Sequence, residues 1–426
     1  MLSQPNAQPA TTAFGSRIIA LSERLAQWSE SRDGLTCTYL SAAHRAVAAE
    51  LCALMRNAGM TAKIDAVGNV VGRYPAADPA ANTPPSARTL ITASHYDTVV
   101  NAGKYDGRLG IVTPLVVIEH LHRTGQRLPY SLELIAFSEE EGVRFAAPYI
   151  GSSAVAGRFD MKLLERRDAN GVALGDALRQ AGFLPEAIPR LARRPQDLLG
   201  YIEVHIEQGP VLLQAGLPVG IVTSIAGAVR HLLTVRGVAG HAGTVPMALR
   251  RDAAAAAAEI VLAVEKRCRA TPTLVGTVGR LAVPEGAINV IPGACELTLD
   301  IRAGDDATRD AAVADIFAEI EAIAERRGVT IEAQEIIDNA AVACAPRIQQ
   351  LLAEAVARAG VRPLHLPSGA GHDAAMFDGC TDLGMLFVRC GNDGVSHSPR
   401  ETVSAEDADL AARILLDVLL NFPSPP

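Results

Sequence analysis

Apolar residues recur at helical spacing over residues 16–28 and again over 41–59, the second stretch opening on Ser41, whose side chain is suited to capping a first turn. A different pattern follows a Pro/Ala-rich loop at 74–87. There the run Thr-Leu-Ile-Thr-Ala-Ser is apolar enough for a strand buried on both faces, and it stops at His95. A glycine-containing loop over 101–107 leads into an apolar helix, Leu109–Arg123. Another strand begins at Ser131 and runs into Ser138-Glu139-Glu140-Glu141; a third carries His205 near its end. Strand, polar loop, helix and strand again predict an α/β architecture with a mixed sheet between helices. In such sheets ligands gather at the carboxyl ends of strands.

The rhythm changes near Ile225. The pattern predicts a strand at 231–238, an Ala-rich helix at 247–268, strands at 274–283 and 295–303, a helix over Asp306–Arg327 and a strand at 329–337. That is the β-α-β-β-α-β order of a ferredoxin-like split unit. A helix at 348–359, a strand at 384–388 and a helix over Ala405–Asn421 then resume the first rhythm. The expected organisation is a catalytic domain in two parts, residues 1–225 and 341–426, interrupted by a smaller α+β domain at 226–340. The first dozen residues are polar and Pro/Ala-rich and are expected to be loose.

Composition narrows the function. The 426 residues carry 39 basic against 47 acidic side chains, a formal charge of −8, which argues against a nucleic-acid binder and its clustered basic surplus. The seven cysteines are scattered without a Cys-x-x-Cys pair, which excludes a zinc ribbon or a thioredoxin-like motif and predicts a reducing compartment. The N-terminus lacks a secretory pattern, and no uncharged apolar stretch approaches about 18 residues, so a soluble cytoplasmic protein without a membrane span is expected.

The chemistry is concentrated where strands end. In His95-Tyr96-Asp97, the histidine is a candidate metal ligand and Asp97 a candidate carboxylate to orient its ring, the usual partner of a metal-bound imidazole. Asp106 follows eleven residues on, with two oxygens able to bridge two cations. Glu140 and Glu141 stand side by side, where two carboxylates repel unless cations neutralise them. Adjacent side chains point in different directions, so one can bind a metal while the other reaches a water. His205 and His397 complete a set of nitrogen and oxygen ligands: His95, Asp106, Glu141, His205 and His397.

Six segments carry a family resemblance: ASHYDTVVNAGKYDGRLG, FSEEEGVRF, EVHIEQGPVL, GHAGTVPMALRRDA, SGAGHDA and GVSHSPRE, in that order between residues 35 and 401. Together they resemble the hydantoinase/carbamoylase-type amidases of the M20 metallopeptidase clan, a group that includes N-carbamoyl-L-amino-acid hydrolases, microbial-type β-ureidopropionases and allantoate amidohydrolases. The resemblance implies two divalent ions per subunit (zinc, manganese, cobalt or nickel). His95 and His205 would ligate one, Glu141 and His397 the other, with Asp106 as bridge and Glu140 as general base. It implies further that the smaller domain is a lid that also forms a homodimer. His241, Asn289 and Arg302 would hold substrate from the lid, His241 near the developing oxyanion, and Gln208 would lie on the substrate side.

The implied reaction is cleavage of a C–N bond in a small ureido acid, an N-carbamoyl-L-amino acid or allantoate, with release of ammonia and carbon dioxide. The alternative within the clan is an exopeptidase or aminoacylase acting on a dipeptide or N-acyl amino acid. Two segments have two readings each. Arg302 is either an ordinary arginine on the polar face of its strand or a clamp on a substrate carboxylate. The segment around His372 either turns backbone N–H groups to the substrate, with Asp373 supporting His372, or is a tight turn packed in the core. Ala93 and Ala102 replace glycines common in the pattern, which leaves the choice of substrate open.

Overall fold

A computed structural model describes residues 14–77 and 88–423. The chain forms two compact units: residues 1–222, 344–366 and 372–426, and residues 223–343 with 367–371. The expected loose N-terminus (1–12) and most of the loop expected at 74–87 lie outside the described residues.

In the first unit the sheet runs from one edge as Thr61–Ile64, Val70–Tyr74, Ser131–Phe137, Thr89–His95, Leu198–Ile206, Leu383–Val388 and Val219–Ile225. The four strands from Ser131–Phe137 to Leu383–Val388 are mutually parallel. Every residue of these four is buried, so both faces are covered and no two-residue alternation survives in the sequence. The helices Gly15–Ala26, Ala42–Asn57, Leu109–Arg123, Pro346–Arg358 and Ala405–Asn421 share the main apolar core with this sheet. Helix starts follow capping chemistry: Ser41 Oγ accepts the N–H of His44, and Ser404 Oγ that of Asp407.

The second unit holds an antiparallel sheet ordered Leu281–Ala282, Ala294–Ala303, Gly227–Arg236 and Thr330–Asn339, with Val275–Thr277 also beside Ala294–Ala303. Burial alternates strictly along Ala294–Ala303. Its inward residues Leu297, Leu299 and Ile301 pack with Ile260 and Val264 of the helix Ala253–Arg269 and Ile316 and Ile320 of Asp306–Arg327. Arg230, Thr298, Asp300 and Arg302 lie on the other face, around a cavity of about 500 Å³.

Two expected elements change here. The helix expected from residue 247 starts at Ala253, because Asp252 Oδ1 accepts the N–H groups of Ala254 and Ala255 and so caps that turn. The single strand expected over 274–283 is two short ones, Val275–Thr277 and Leu281–Ala282.

Candidate metal centre

The carboxyl ends of the parallel strands deliver the chemistry. His95 ends its strand, Glu139–Glu140–Glu141 follow the strand ending at Phe137, and His205 is the penultimate residue of Leu198–Ile206. His397 lies in the loop beyond Leu383–Val388. Among the left-handed non-glycine residues of these loops are Glu139, Gln208 and His397, with φ values of 57°, 57° and 53°. Left-handed backbone at such residues costs on the order of 1–3 kcal/mol and is kept where the surroundings enforce it.

Asp106 sits at the middle, buried to 3 % exposure. Its Oδ1 lies 3.3 Å from His95 Nε2 and 3.4 Å from His205 Nε2; its Oδ2 lies 3.2 Å from His397 Nε2. Glu141 Oε1 is 3.5 Å from the same His397 nitrogen. The donor atoms of His95, Asp106 and His205 fall within 4.8 Å of one another, as do those of Asp106, Glu141 and His397. His95, Glu140 and Glu141 make a third such group.

The other ring nitrogens set the tautomers. His95 Nδ1 donates to the backbone carbonyl of Asp97 at 3.1 Å, and His205 Nδ1 to that of Ile206 at 2.8 Å. Both rings turn Nε2 toward Asp106 Oδ1, a contact satisfied either by a proton on each ring or by a cation held between the three atoms. Gly107 makes room for this: a Cβ there would stand 2.5 Å from the His95 ring, at φ +64°.

Charge accounting points the same way. Among the described residues no lysine or arginine pairs with Asp106, Glu140 or Glu141. Burial pushes the Glu140 carboxyl well above the usual range; His95 opposes and Glu141 adds to the rise. Burial likewise lifts Glu141 to about 7. Burial also raises Asp106, but its hydrogen bonds with His205, His397 and His95 outweigh that and hold it well below. Asp106 in turn lifts His397 to about 9. Buried carboxylates answered only by imidazoles are a donor set suited to divalent cations, so the residues fit the metals the family resemblance implies.

The Asp97 carboxylate stands near His95 but does not hydrogen-bond its ring. It lies 3.8 Å from His95 Nδ1, and the ring is held instead by Asp97's own carbonyl. The carboxylate accepts the N–H of Glu140 at 3.1 Å and of Glu141 at 3.2 Å. Gln208 turns inward: its Nε2 donates to Asp106 Oδ2 at 2.7 Å and lies 3.4 Å from His397 Nε2.

The remaining named residues belong to the second unit. His241 pairs with Val290 across a two-stranded ribbon, and the carbonyl of Asn289 accepts the N–H of Ala242, which brings His241 and Asn289 together. Arg302 is gripped from two sides by Asp300, Nε to Oδ1 at 2.9 Å and Nη2 to Oδ2 at 3.0 Å, and donates from Nη1 to the Gly369 carbonyl. Asp300 also accepts from Arg230 at 2.8 Å.

Three residues of the first unit escaped the sequence reading. Glu203, two positions before His205 on one strand face, accepts from Ser94 Oγ at 2.8 Å, Tyr201 Oη at 2.9 Å and the Ala374 N–H at 3.2 Å. Its signal was a carboxylate inside an otherwise apolar strand. Ser396 and Glu401 flank His397 and reach Asp106. His372 is buried with its ring centroid 4.4 Å from that of His205, whereas Gly369 and Gly371 of the same segment are exposed.

Comparison with known proteins places this arrangement. The model of peptidase family M20/M25/M40 matches residues 91–421. The N-carbamoyl-L-amino acid amidohydrolase of Geobacillus stearothermophilus is 41% identical over 382 residues, 90% of this chain and 92% of that protein. Allantoate deiminase 1 of Glycine max is 38% identical over 430 residues, 93% of this chain and 87% of that protein. The crystal structure of a hydantoinase/carbamoylase-family amidase from Burkholderia multivorans superposes with a TM-score of 0.89 at 30% identity, covering 97% of this chain and 98% of that one.

Proposed function

This chain belongs to peptidase family M20/M25/M40, and we propose that it hydrolyses a small ureido acid, an N-carbamoyl-L-amino acid or allantoate, at a centre of two divalent ions. As a family member with amidohydrolase relatives it is a hydrolase of C–N bonds other than peptide bonds. The observation that carries the two-ion reading is the division of Asp106: one oxygen faces His95 and His205, the other His397.

His95, His205 and Asp106 would hold one ion; Glu141, His397 and Asp106 the other. Divalent cations there would supply Lewis-acid chemistry, polarising a carbonyl and acidifying water. Glu140 takes the proton of the attacking water and returns it to the leaving nitrogen, general acid–base help worth about 10²–10⁴ in rate. Its burial suits it to hold that proton between the two transfers. Water adds to the ureido carbonyl, the C–N bond breaks, and the amine leaves protonated; the carbamate left behind decomposes to ammonia and carbon dioxide.

The second unit would serve as lid, with His241 at the developing oxyanion, Arg302 on the substrate carboxylate and Asn289 on either the carboxylate or the ureido group. Exposed apolar side chains on that unit, Met247, Leu249 and Ile288, support its use in a homodimer. Among the described residues no helix is long and apolar enough to cross a membrane.

The test is a substrate panel run with added Zn²⁺, Mn²⁺, Co²⁺ or Ni²⁺. Ammonia release from allantoate or N-carbamoyl-L-amino acids, with little turnover of N-acetyl amino acids and dipeptides, is the expected result. Preference for dipeptides overturns the proposal.

A further inference from the structure

Ser396 and Asp106 are 290 residues apart in the chain, yet their side chains meet: Ser396 Oγ lies 2.7 Å from Asp106 Oδ2. Something must hold the loop bearing His397 at a fixed height against the loop bearing Asp106. Glu401, buried to 4 % exposure, spans the two. Its Oε1 accepts the N–H of Tyr105 at 2.8 Å and of Asp106 at 3.1 Å, while its Oε2 lies 2.9 Å from Ser396 Oγ. The Asp106 loop is shaped around this side chain, since a Cβ on Gly103 would fall 2.3 Å from the Glu401 carboxyl carbon. The other loop does not relax into place unaided: Asn392, Asp393 and His397 all have left-handed backbone, at φ 47°, 63° and 53°.

We propose that Glu401 is a positioning residue that fixes the separation of Asp106 and His397, and so sets the affinity of the cation site formed by Asp106, Glu141 and His397. The inference rests on the two-ion reading above. It distinguishes hydrogen bonding from space filling. Glu401→Gln keeps one oxygen for the two backbone N–H groups and offers an N–H to Ser396, so it retains the bracket. Glu401→Met fills the same volume with no acceptor and breaks it.

The experiment is a Mn²⁺ titration of chelator-treated protein, followed by electron paramagnetic resonance of the free ion and of the coupled pair. Wild type is expected to bind two Mn²⁺ per subunit with an exchange-coupled spectrum. Glu401→Met should bind the first ion as wild type does, weaken the second roughly 10–100-fold and lose the coupled signal, in line with other residues that orient metal ligands. Glu401→Gln should restore it. Glu401→Met binding both ions as wild type, or weakening both alike, overturns the proposal. Should that variant fail to fold, Glu401→Asp decides: it keeps a carboxylate one methylene short of the Tyr105 and Asp106 N–H groups and of Ser396, and leaves the contact between Ser396 and Asp106 in place. A weaker second ion then supports the bracket and unchanged binding refutes it. Wild type that binds no Mn²⁺ pair is a different result and removes the two-ion reading itself.

Discussion

Asp97 holds Glu140 by the backbone: its Oδ1 accepts the Glu140 N–H at 3.1 Å, while its Oδ2 accepts that of Glu141. One buried carboxylate thereby fixes the turn on which both glutamates stand, while the hydrogen bond that orients His95 goes to the Asp97 carbonyl. Replacing Asp97 by Asn leaves one oxygen for two donors. One buried N–H then faces an amide NH₂, at a cost of about 1–3 kcal/mol. Urea unfolding should report that loss, and turnover should fall at least tenfold as Glu140 drifts, with the first metal affinity little changed. Reduced metal affinity with unchanged turnover would instead assign the carboxylate to His95.

The two glutamates should separate by experiment. Glu140→Gln is expected to keep its metal, measured by elemental analysis, while turnover drops by about 10²–10⁴. Glu141→Gln should lose metal in the same assay. The reverse pattern would mean their roles are exchanged.

Chelator treatment should abolish activity, and readdition of a divalent ion should restore it. The same treatment should lower the calorimetric melting temperature, because an ion at about 100 times its Kd stabilises the folded state by about 2.7 kcal/mol. Full activity after complete stripping would exclude a metal reaction.

His44 makes a pH prediction away from the metal centre. It is buried, stacked 4.3 Å from the Tyr96 ring, with Nε2 lacking a hydrogen-bond partner among the described residues. Burial first, and Arg108 second, lower it from 6.5 to about 3. Between those values the unfolded chain binds a proton that the folded chain refuses, so stability falls as pH drops through that window. The full effect is on the order of 5 kcal/mol. Asp65 works the other way: burial raises it to about 6, so its contribution grows as pH falls below that value. The difference between wild type and His44→Phe isolates the histidine. The gap in unfolding free energy should shift in favour of the variant from pH 6.5 to 4, and a constant gap refutes the assignment.

Much of this was legible in residue order alone. The helices Leu109–Arg123, Asp306–Arg327 and Ala405–Asn421 have the bounds their periodicity predicts, the last two because Asp305 and Ser404 cap their first turns and the first because its apolar run begins directly after the glycine-containing loop. The strands Thr61–Ile64, Val70–Tyr74 and Val219–Ile225 went unread, being short or buried on both faces without alternation. His95, Asp106, Glu141, His205 and His397 stand together in the structure because strand ends are places that spacing can mark. The roles of Asp97, Glu203 and Glu401 could not be read. Each depends on which backbone amide or hydroxyl lies opposite, and that is settled only when distant loops meet.

The alternating burial of Ala294–Ala303 divides labour within one strand. Leu297, Leu299 and Ile301 knit the helices to the sheet, whereas Thr298, Asp300 and Arg302 contribute nothing to that knitting. If Arg302 holds the substrate carboxylate as proposed, a mutant library confined to the second set, with Arg230, would vary the substrate side of the strand while leaving its apolar side untouched. In this small sheet the residues proposed to meet substrate and the residues that hold the fold occupy opposite sides of one strand.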